Sequence, residues 1–553
     1  MRRLLNQLRP DPGAECSSGR LDVGAPSLSD APDRTVAASL ARLREAGVAV
    51  ERAPDAFAAL CLGSDWAIAW LSRNPQQAMR LLDDMEHQRA PTRSALAADL
   101  EAALAEVDCG DPAPDGPFGR ALRTVRNRRM IGIVLRDLCG VARLEDTVRT
   151  LSDLADVIIE ASLARLQPIA EGEWGAPPAV AGEPQRLIVL AMGKLGAREL
   201  NLSSDIDLIF AFRAPGIVAG GEITTQEFFV RLGRRLIALL NTRTPRGFVF
   251  RVDMRLRPYG EAGPLVQHVD AMLDYYREQG RDWERYAMVK ARVVSGEAAT
   301  RERLEAGLRP FVYRRYLDFG AFEALRDMKT LIVNEVRRRK AEGDVKLGAG
   351  GIREIEFVAQ VFQLVHGGRD PALRARALLD VLPRIERAGL LNAPDVQVLT
   401  EAYRFLRDVE HRLQARSDAQ TQRLPAGEGD RARLAATFGL SLPEFEETLV
   451  RHRAGVRRIF DASVDARGEE PQGVEAPTAD AVGDWSALWR RLLAEDTRAA
   501  AADALLSAFA ADGVADPGAA RDRLMAFILR RNALAEQSVA RERIDALLPA
   551  VLG

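Results

Sequence analysis

The residues best suited to chemistry are Gly193-Lys-Leu-Gly196 and, a few positions on, Glu199-Leu-Asn-Leu-Ser-Ser-Asp205-Ile-Asp207-Leu-Ile-Phe210. In a strand, alternate residues share a face, so Asp205 and Asp207 project together while Ile206, Leu208 and Phe210 turn into the core. Two neighbouring carboxylates repel each other by roughly one to several kcal/mol, more as water is excluded, and a divalent cation is the natural relief. All-oxygen ligation points to Mg²⁺ or Mn²⁺ rather than zinc. A bare Asp-x-Asp is common on solvated surfaces. The Gly-Lys-x-Gly turn and Ser203-Ser204 before it make this one a candidate centre.

A third carboxylate comes from 247–258, which reads as a largely alternating strand. Phe248, Phe250, Val252, Met254 and Leu256 would form its apolar face, leaving Val249, Arg251, Asp253, Arg255 and Arg257 on the other. Paired beside the first strand, it would let Asp253 complete a metal-binding triad with Asp205 and Asp207, while Arg255 and Arg257 clamp phosphate oxygens. Standing alone, it would be a solvated face with cross-strand ion pairs. The turn at Gly193 and Gly196 can bring backbone N–H groups to a phosphate, and Lys194 can add a compact point charge. Ser203 and Ser204 shape the loop or bind a phosphate oxygen rather than attack anything. Such a set suits in-line nucleotidyl transfer, in which the protein mainly positions and neutralises.

Lysine usage adds weight to this region. The chain has five lysines (194, 290, 329, 340 and 346) against 72 arginines, all within 194–346. Phosphate contact is one reason to keep an ammonium there; slower drift of the segment is the other. Beyond Lys346, the sequence from Gly350 predicts a helix with Ile352, Ile355, Val358 and Phe362 as an apolar stripe and Arg353, Glu356 and Gln360 on another face. Lys346, Arg353, Glu354 and Glu356 either line the substrate cleft or belong to a solvated face. Trp283 and Tyr286 either stack on a planar ligand or pack in the core, and core packing is the expectation.

The elements that must position these residues follow from patterning. At 553 residues the chain is two to four domains' worth. Residues 1–30, rich in Pro, Gly and Ser, read as disordered, and 31–170 as a helical N-terminal domain. The Pro/Gly-rich stretch 171–185 is a linker, and 186–345 a catalytic core whose strands fall within 186–300, the one region with period-2 patterning. Helical spacing resumes over 272–294 and 322–340, and a helical bundle follows at 346–465 with amphipathic segments over 357–366, 396–414 and 445–464, then a polar linker at 466–484 and short helices over 485–553. The fold class predicted is α+β, predominantly helical, with a mixed sheet core embedded between helical domains.

A net charge of -2 and a pI near 6.3 supply no global field for nucleic acid or an anionic membrane. No stretch reaches the ~18 apolar residues of a membrane helix, and the first residues lack a signal core, so the chain reads as cytoplasmic. Cys16, Cys61, Cys109 and Cys139 stand singly, and His87, His268, His366, His411 and His452 are scattered. The reading is reduced structural thiols and surface histidines.

Four motifs together resemble a family. They are the stretch from Gly193 to Phe210; Val252-Asp-Met-Arg-Leu-Arg-Pro-Tyr-Gly-Glu-Ala-Gly-Pro-Leu-Val266; Arg281-Asp-Trp-Glu-Arg-Tyr-Ala-Met-Val-Lys-Ala-Arg292; and Lys346-Leu-Gly-Ala-Gly-Gly-Ile-Arg-Glu-Ile-Glu-Phe357. In this order they resemble the glutamine synthetase adenylyltransferase/adenylyl-removing enzymes, densely over 186–465. The resemblance implies a nucleotidyltransferase core of the repair-polymerase type and a metal-dependent enzyme with two tandem cassettes, the first removing AMP from a tyrosine of glutamine synthetase and the second attaching it. This chain carries one cassette, and Glu199-Leu-Asn201, Val252-Asp-Met-Arg255 and Gly348–Glu356 resemble the first. The implied reaction is phosphorolysis, with inorganic phosphate attacking the AMP phosphorus and releasing ADP. The implied partners are glutamine synthetase and the uridylylated PII signalling protein, with glutamine opposing. Forward AMP transfer from ATP, or a non-catalytic nucleotide- or signal-sensing module, are the alternatives. Leu202 and Ala197-Arg198 depart from the family pattern, as does the absence of a second cassette, which puts adenylylation by this chain in doubt.

Overall fold

The structure, a computed structural model, describes residues 30–87, 90–314 and 343–465, with isolated positions in 325–334 and 518–528. The expectations for 1–29, for most of 322–340, for 466–484 and for nearly all of 485–553 lie outside the described residues. The chain forms two compact units, Met1–Asp465 and Ala466–Gly553; the first holds every candidate residue.

Short helices over 30–105 lead into two long ones, α1 (Pro117–Leu138) and α2 (Leu144–Trp174). Pro117 opens α1, where its fixed φ costs nothing and its missing N–H would have been unpaired anyway. Glu145 and Asp146 sit in the first turn of α2, favourable to its dipole. Leu151, Leu154, Ile158 and Ile159 supply its buried stripe. The helix runs four residues past 170 and stops at Gly175, whose φ of +84° takes the chain out of the helix.

Five strands follow: β1 (Ile188–Ala191), β2 (Asp205–Phe212), β3 (Arg251–Asp253), β4 (Val266–His268) and β5 (Arg292–Ser295). Their order is β3-β2-β1-β5, with β4 also pairing β2. β1 runs antiparallel to β2 and β5, whereas β2 runs parallel to β3 and β4. Helix α3 (Thr225–Asn241), capped by the Thr224 hydroxyl, connects β2 to β3, the crossover that a parallel pair requires. The mixed sheet falls within 186–300, but β4 and β5 lie outside the segments read as strands, and β5 overlaps the end of the 272–294 segment read as helical. Helices α4 (Ile352–His366), α5 (Ala393–Ala415) and α6 (Leu442–Asp465) pack together beyond it.

The sheet divides two cores. Leu187, Val189, Ala191, Leu208, Phe210 and Phe212 face one, with α1, α2 and α3; Ile188, Leu190, Met192, Ile209 and Ala211 face the other, with α4 and α5. Burial on both faces is why β1 and most of β2 read as continuous apolar runs. Asp205 and Asp207 continue the face of Ile209 and Ala211, at the end where the apolar cover stops.

Several expectations are corrected. The strand predicted over 247–258 is regular only at Arg251–Asp253: Val249 and Phe250 are both buried although adjacent, and the chain turns after Asp253. Apolar and polar residues alternate there because a loop happens to dip into the core. Trp283, expected inside, is 45% exposed, while Tyr286 packs against Phe357. His411, expected at the surface, is fully buried in α5. Cys61, Cys109 and Cys139 are free thiols, as read; Cys16 lies outside the described residues.

Candidate active site

The register of β2 against β3 assembles the acids. Asp205 lies beside Arg251, Ile206 beside Val252, and Asp207 directly beside Asp253. Parallel neighbours in register point to the same face, so the three carboxylates share one sheet edge. Burial, then the charges of Asp205 and Asp253, pushes the Asp207 carboxyl up to about 7. Asp253 is held below the ordinary carboxylate range by Arg255, whose Nε donates to Oδ1 at 3.0 Å and Oδ2 at 2.9 Å, with the Arg255 backbone N–H donating to Oδ1 at 2.8 Å. Gln420 Nε2 donates to Asp205 Oδ1 at 2.8 Å.

The Gly193 turn closes the other side. Met192 N–H bonds to the Asp207 carbonyl at 2.8 Å, which lays the turn over β2. Gly193 has φ +51°, and a Cβ there would stand 2.7 Å from Asp207 Oδ2. Its lack of a side chain leaves open the space beside the most crowded carboxylate. That space, the mutual repulsion and the all-oxygen donor set suit Mg²⁺ or Mn²⁺ at Asp205, Asp207 and Asp253, although the three do not offer oxygens all within 4.8 Å of one another. Gly196 differs in role: a Cβ would meet Lys290 O at 2.1 Å and Ala191 O at 2.5 Å, so it serves close packing.

Beneath the turn lies a buried charge network. Lys194 is only 9% exposed, with Nζ 3.7 Å from Glu356 Oε1 and no hydrogen-bond partner. Burial, with Arg407 nearby, pushes it down to about 8. Lys290 Nζ donates to Glu356 Oε1 at 2.6 Å and Glu199 Oε2 at 3.2 Å. Burial alone would lower Lys290, but Glu199 and Glu356 outweigh it and hold it at about 12. Lys194 and Lys290 in turn hold Glu356 well below the usual carboxylate range, against the effect of burial. Arg407 donates to the Glu199 carbonyl at 2.7 Å and to Asn201 Oδ1.

The other predicted residues are placed as follows. Ser203 is buried, accepting from Arg251 Nη2 at 3.0 Å and donating to Asp418 Oδ1 at 2.9 Å; Asp418 is itself gripped at both oxygens by Arg126. Its hydroxyl is thus taken up in holding the loop. Ser204, half-buried, lies 3.5 Å from Asp205 Oδ1. Arg255 is exposed at the edge, but Arg257 folds back on its own loop, donating to Met254 O and Glu261 O. In α4, Glu356 meets Lys194 and Lys290 and Arg353 is exposed, while Lys346, in the turn before α4, is half-buried. Glu354, predicted with them, turns to the opposite side, accepting from Gly350 N at 2.9 Å and Arg457 Nη1 at 2.9 Å. A cavity of about 490 Å³ lined by Glu199, Arg292, Arg376 and Arg407 lies behind the turn and includes none of the three aspartates. The sequence names Glu199 and Lys290 only within motifs and the lysine cluster, with no site role for either, and does not point to Asp418 or Gln420. Lys290 carried a signal, as one of the five clustered lysines; Asp418 and Gln420 carried none.

Residues 55–307, which contain the turn and all three aspartates, match the profile of the family described as glutamate-ammonia ligase adenylyltransferase. Over that span the chain is similar to this family. Residues 326–464 match a second profile, GlnD PII-uridylyltransferase. The chain is 45% identical over 524 residues to a bifunctional glutamine synthetase adenylyltransferase/adenylyl-removing enzyme of Pseudomonas aeruginosa, covering 93% of this chain and 51% of that protein. It is 44% identical over 503 residues to the protein of that description from Pseudomonas syringae pv. tomato, covering 90% and 50%. With the one from Nitrosococcus oceani it shares 47% over 436 residues, covering 78% and 44%. The chain thus spans about half the length of the curated relatives it matches.

Proposed function

We propose that this chain is a metal-dependent nucleotidyltransferase that removes AMP from an adenylylated tyrosine of glutamine synthetase by phosphorolysis. The observation that carries the reading is the register of Asp207 beside Asp253 with Asp205 on the same face, bordered by a glycine turn that leaves room for a phosphoryl group. In the reaction an oxygen of inorganic phosphate forms a bond to the AMP phosphorus, the bond from phosphorus to the tyrosine oxygen breaks, and the phenolate takes a proton from solvent. The products are ADP and free tyrosine. Mg²⁺ or Mn²⁺, held by Asp205, Asp207 and Asp253, would neutralise phosphoryl oxygens. Arg255 at the exposed edge and Lys194 beneath the turn add positive charge toward the same oxygens. The first-cassette character of Glu199-Leu-Asn201 and of 348–356 favours removal over attachment. By the same resemblance, the uridylylated PII protein is the partner that promotes removal.

The test is to incubate the purified chain with adenylylated glutamine synthetase, Mg²⁺ and phosphate while following ADP. Wild type should release ADP, and Asp207→Asn should lose about 100- to 1000-fold or more of that rate. Labelled AMP entering unmodified glutamine synthetase from ATP, without ADP release in the first assay, would overturn the direction. Near-normal ADP production by Asp207→Asn would overturn the site.

A further inference from the structure

Asp137, Asp408 and His411 form a second cluster that the nucleotidyl site does not use. Asp137 lies in the last turn of α1, and Asp408 and His411 stand three residues apart on one face of α5. One possible ligand atom from each lies within 4.8 Å of the other two, a mutual approach found for no other trio of His, Cys, Asp or Glu among the described residues.

The protein around the cluster does not account for it. His411 is fully buried, yet neither Nδ1 nor Nε2 has a hydrogen-bond partner, and Asp137 Oδ2 has none either. A neutral imidazole carries one donor and one acceptor nitrogen, and leaving such groups unmade costs about 1–3 kcal/mol each. Arg412 Nε stands 3.8 Å from Asp137 Oδ2, too far to donate. Its guanidinium is drawn elsewhere, donating to Thr437 O at 2.7 Å and lying 3.6 Å from the centre of the Phe438 ring. Arg407, one turn back, is committed to Tyr403, Glu199 O and Asn201, and pairs with Glu410 at 3.3 Å. Two carboxylates and an unpartnered imidazole therefore converge, with Arg412 as a distant ion-pair neighbour of Asp137 and, among the described residues, no cation within hydrogen-bonding distance of Asp137 Oδ2 or the imidazole.

We infer that Asp137, Asp408 and His411 bind a first-row transition dication of the zinc or manganese type. An imidazole with two carboxylates suits such ions, whereas Mg²⁺ and Ca²⁺ favour oxygen donors throughout. The ion joins the end of α1 to the middle of α5. That helix also carries Arg407 and Gln414, whose side chains hold Glu199, Asn201 and the Ser203 N–H. Its role is positioning, since none of its ligands reaches the nucleotidyl site.

The test uses the full chain, stripped with chelator and then dialysed with Zn²⁺ or Mn²⁺ in excess Mg²⁺, with metal content read by mass spectrometry. Wild type and Asp205→Asn should each retain about one Zn²⁺ or Mn²⁺ per chain. His411→Gln and Asp408→Asn should bind it about 10- to 100-fold more weakly or not at all. Co²⁺ loaded in place of the ion should give visible ligand-field bands in wild type that are missing in His411→Gln. Failure of wild type to take up either ion, or equal retention by wild type and His411→Gln, overturns the proposal. Should His411→Gln not fold, wild-type uptake and Asp408→Asn decide the matter.

Discussion

Lys194 occupies the position where a charge is hardest to keep: buried, short of a hydrogen bond, and pushed down to about 8 from an ordinary 10.5. A lysine whose folded value lies below its unfolded one destabilises the fold while charged. The penalty is fully present below about 8 and fades as pH rises to 10.5, where the unfolded chain also sheds the proton. Lys194→Met should therefore raise Tm near neutral pH, with the gain disappearing by about pH 10.5. Calorimetry at the two pH values checks this, and an equal gain at both would contradict it. Glu356 remains paired to Lys290 in that variant, so no bare carboxylate confuses the result. The same residue makes a kinetic prediction. If its ammonium helps transfer, the rate should fall as pH rises through about 8. Lys194→Arg should be about 10- to 1000-fold slower but lack that alkaline fall, because a guanidinium does not deprotonate there. A pH-rate profile of both proteins distinguishes the two outcomes.

Among the elements, the four-residue turn between β1 and β2 makes two glycines do different work. Gly193→Ala must bear φ +51°, a cost of about 1 kcal/mol, and its Cβ displaces the Asp207 carboxylate, so activity should fall far more than stability. Gly196→Ala meets backbone oxygens that cannot swing aside, so it should cost about 1–3 kcal/mol or more of folding free energy. Urea unfolding alongside ADP release separates them; equal stability losses would show that the turn yields as a unit. These elements were unequally legible. The β2 acids could be read because an alternating pair of aspartates interrupts an apolar run that is otherwise buried on both faces. β3 was overextended because 248–256 alternates whether or not it is hydrogen-bonded, and only pairing with β2 limits it to three residues. Ser203 and Arg257 have the right residue types for phosphate, but their local partners, Asp418 and the 254–261 loop, claim them first. Asp418 and Gln420 lie 215 residues from the serine and aspartate they contact, a separation that no local pattern encodes. His411 looked like one of several scattered histidines because Asp137, which faces it, belongs to a distant helix.

At the scale of the molecule, one sheet serves two cores, so neither side can be removed without uncovering Val189, Leu208 and Phe210 or Ile188, Leu190 and Ile209. Each such side chain contributes about 1.5–3 kcal/mol on burial. A chain nicked by protease within 171–185 should accordingly remain one particle on size exclusion and melt in one transition. Separation of the fragments without denaturant would show that the N-terminal helices are dispensable. The clasp at Asp418 carries a further consequence. Arg126 and Ser203 fall in the span matched by one family profile and Asp418 in the span matched by the other, yet Arg126 holds both oxygens of Asp418 and Ser203 donates to one of them. The two spans are thus not interchangeable modules. A hybrid gene taking 55–307 from one homologue and 326–464 from another would have to keep Arg126, Ser203 and Asp418 matched, since any mismatch falls on the loop that delivers Asp205 to its place.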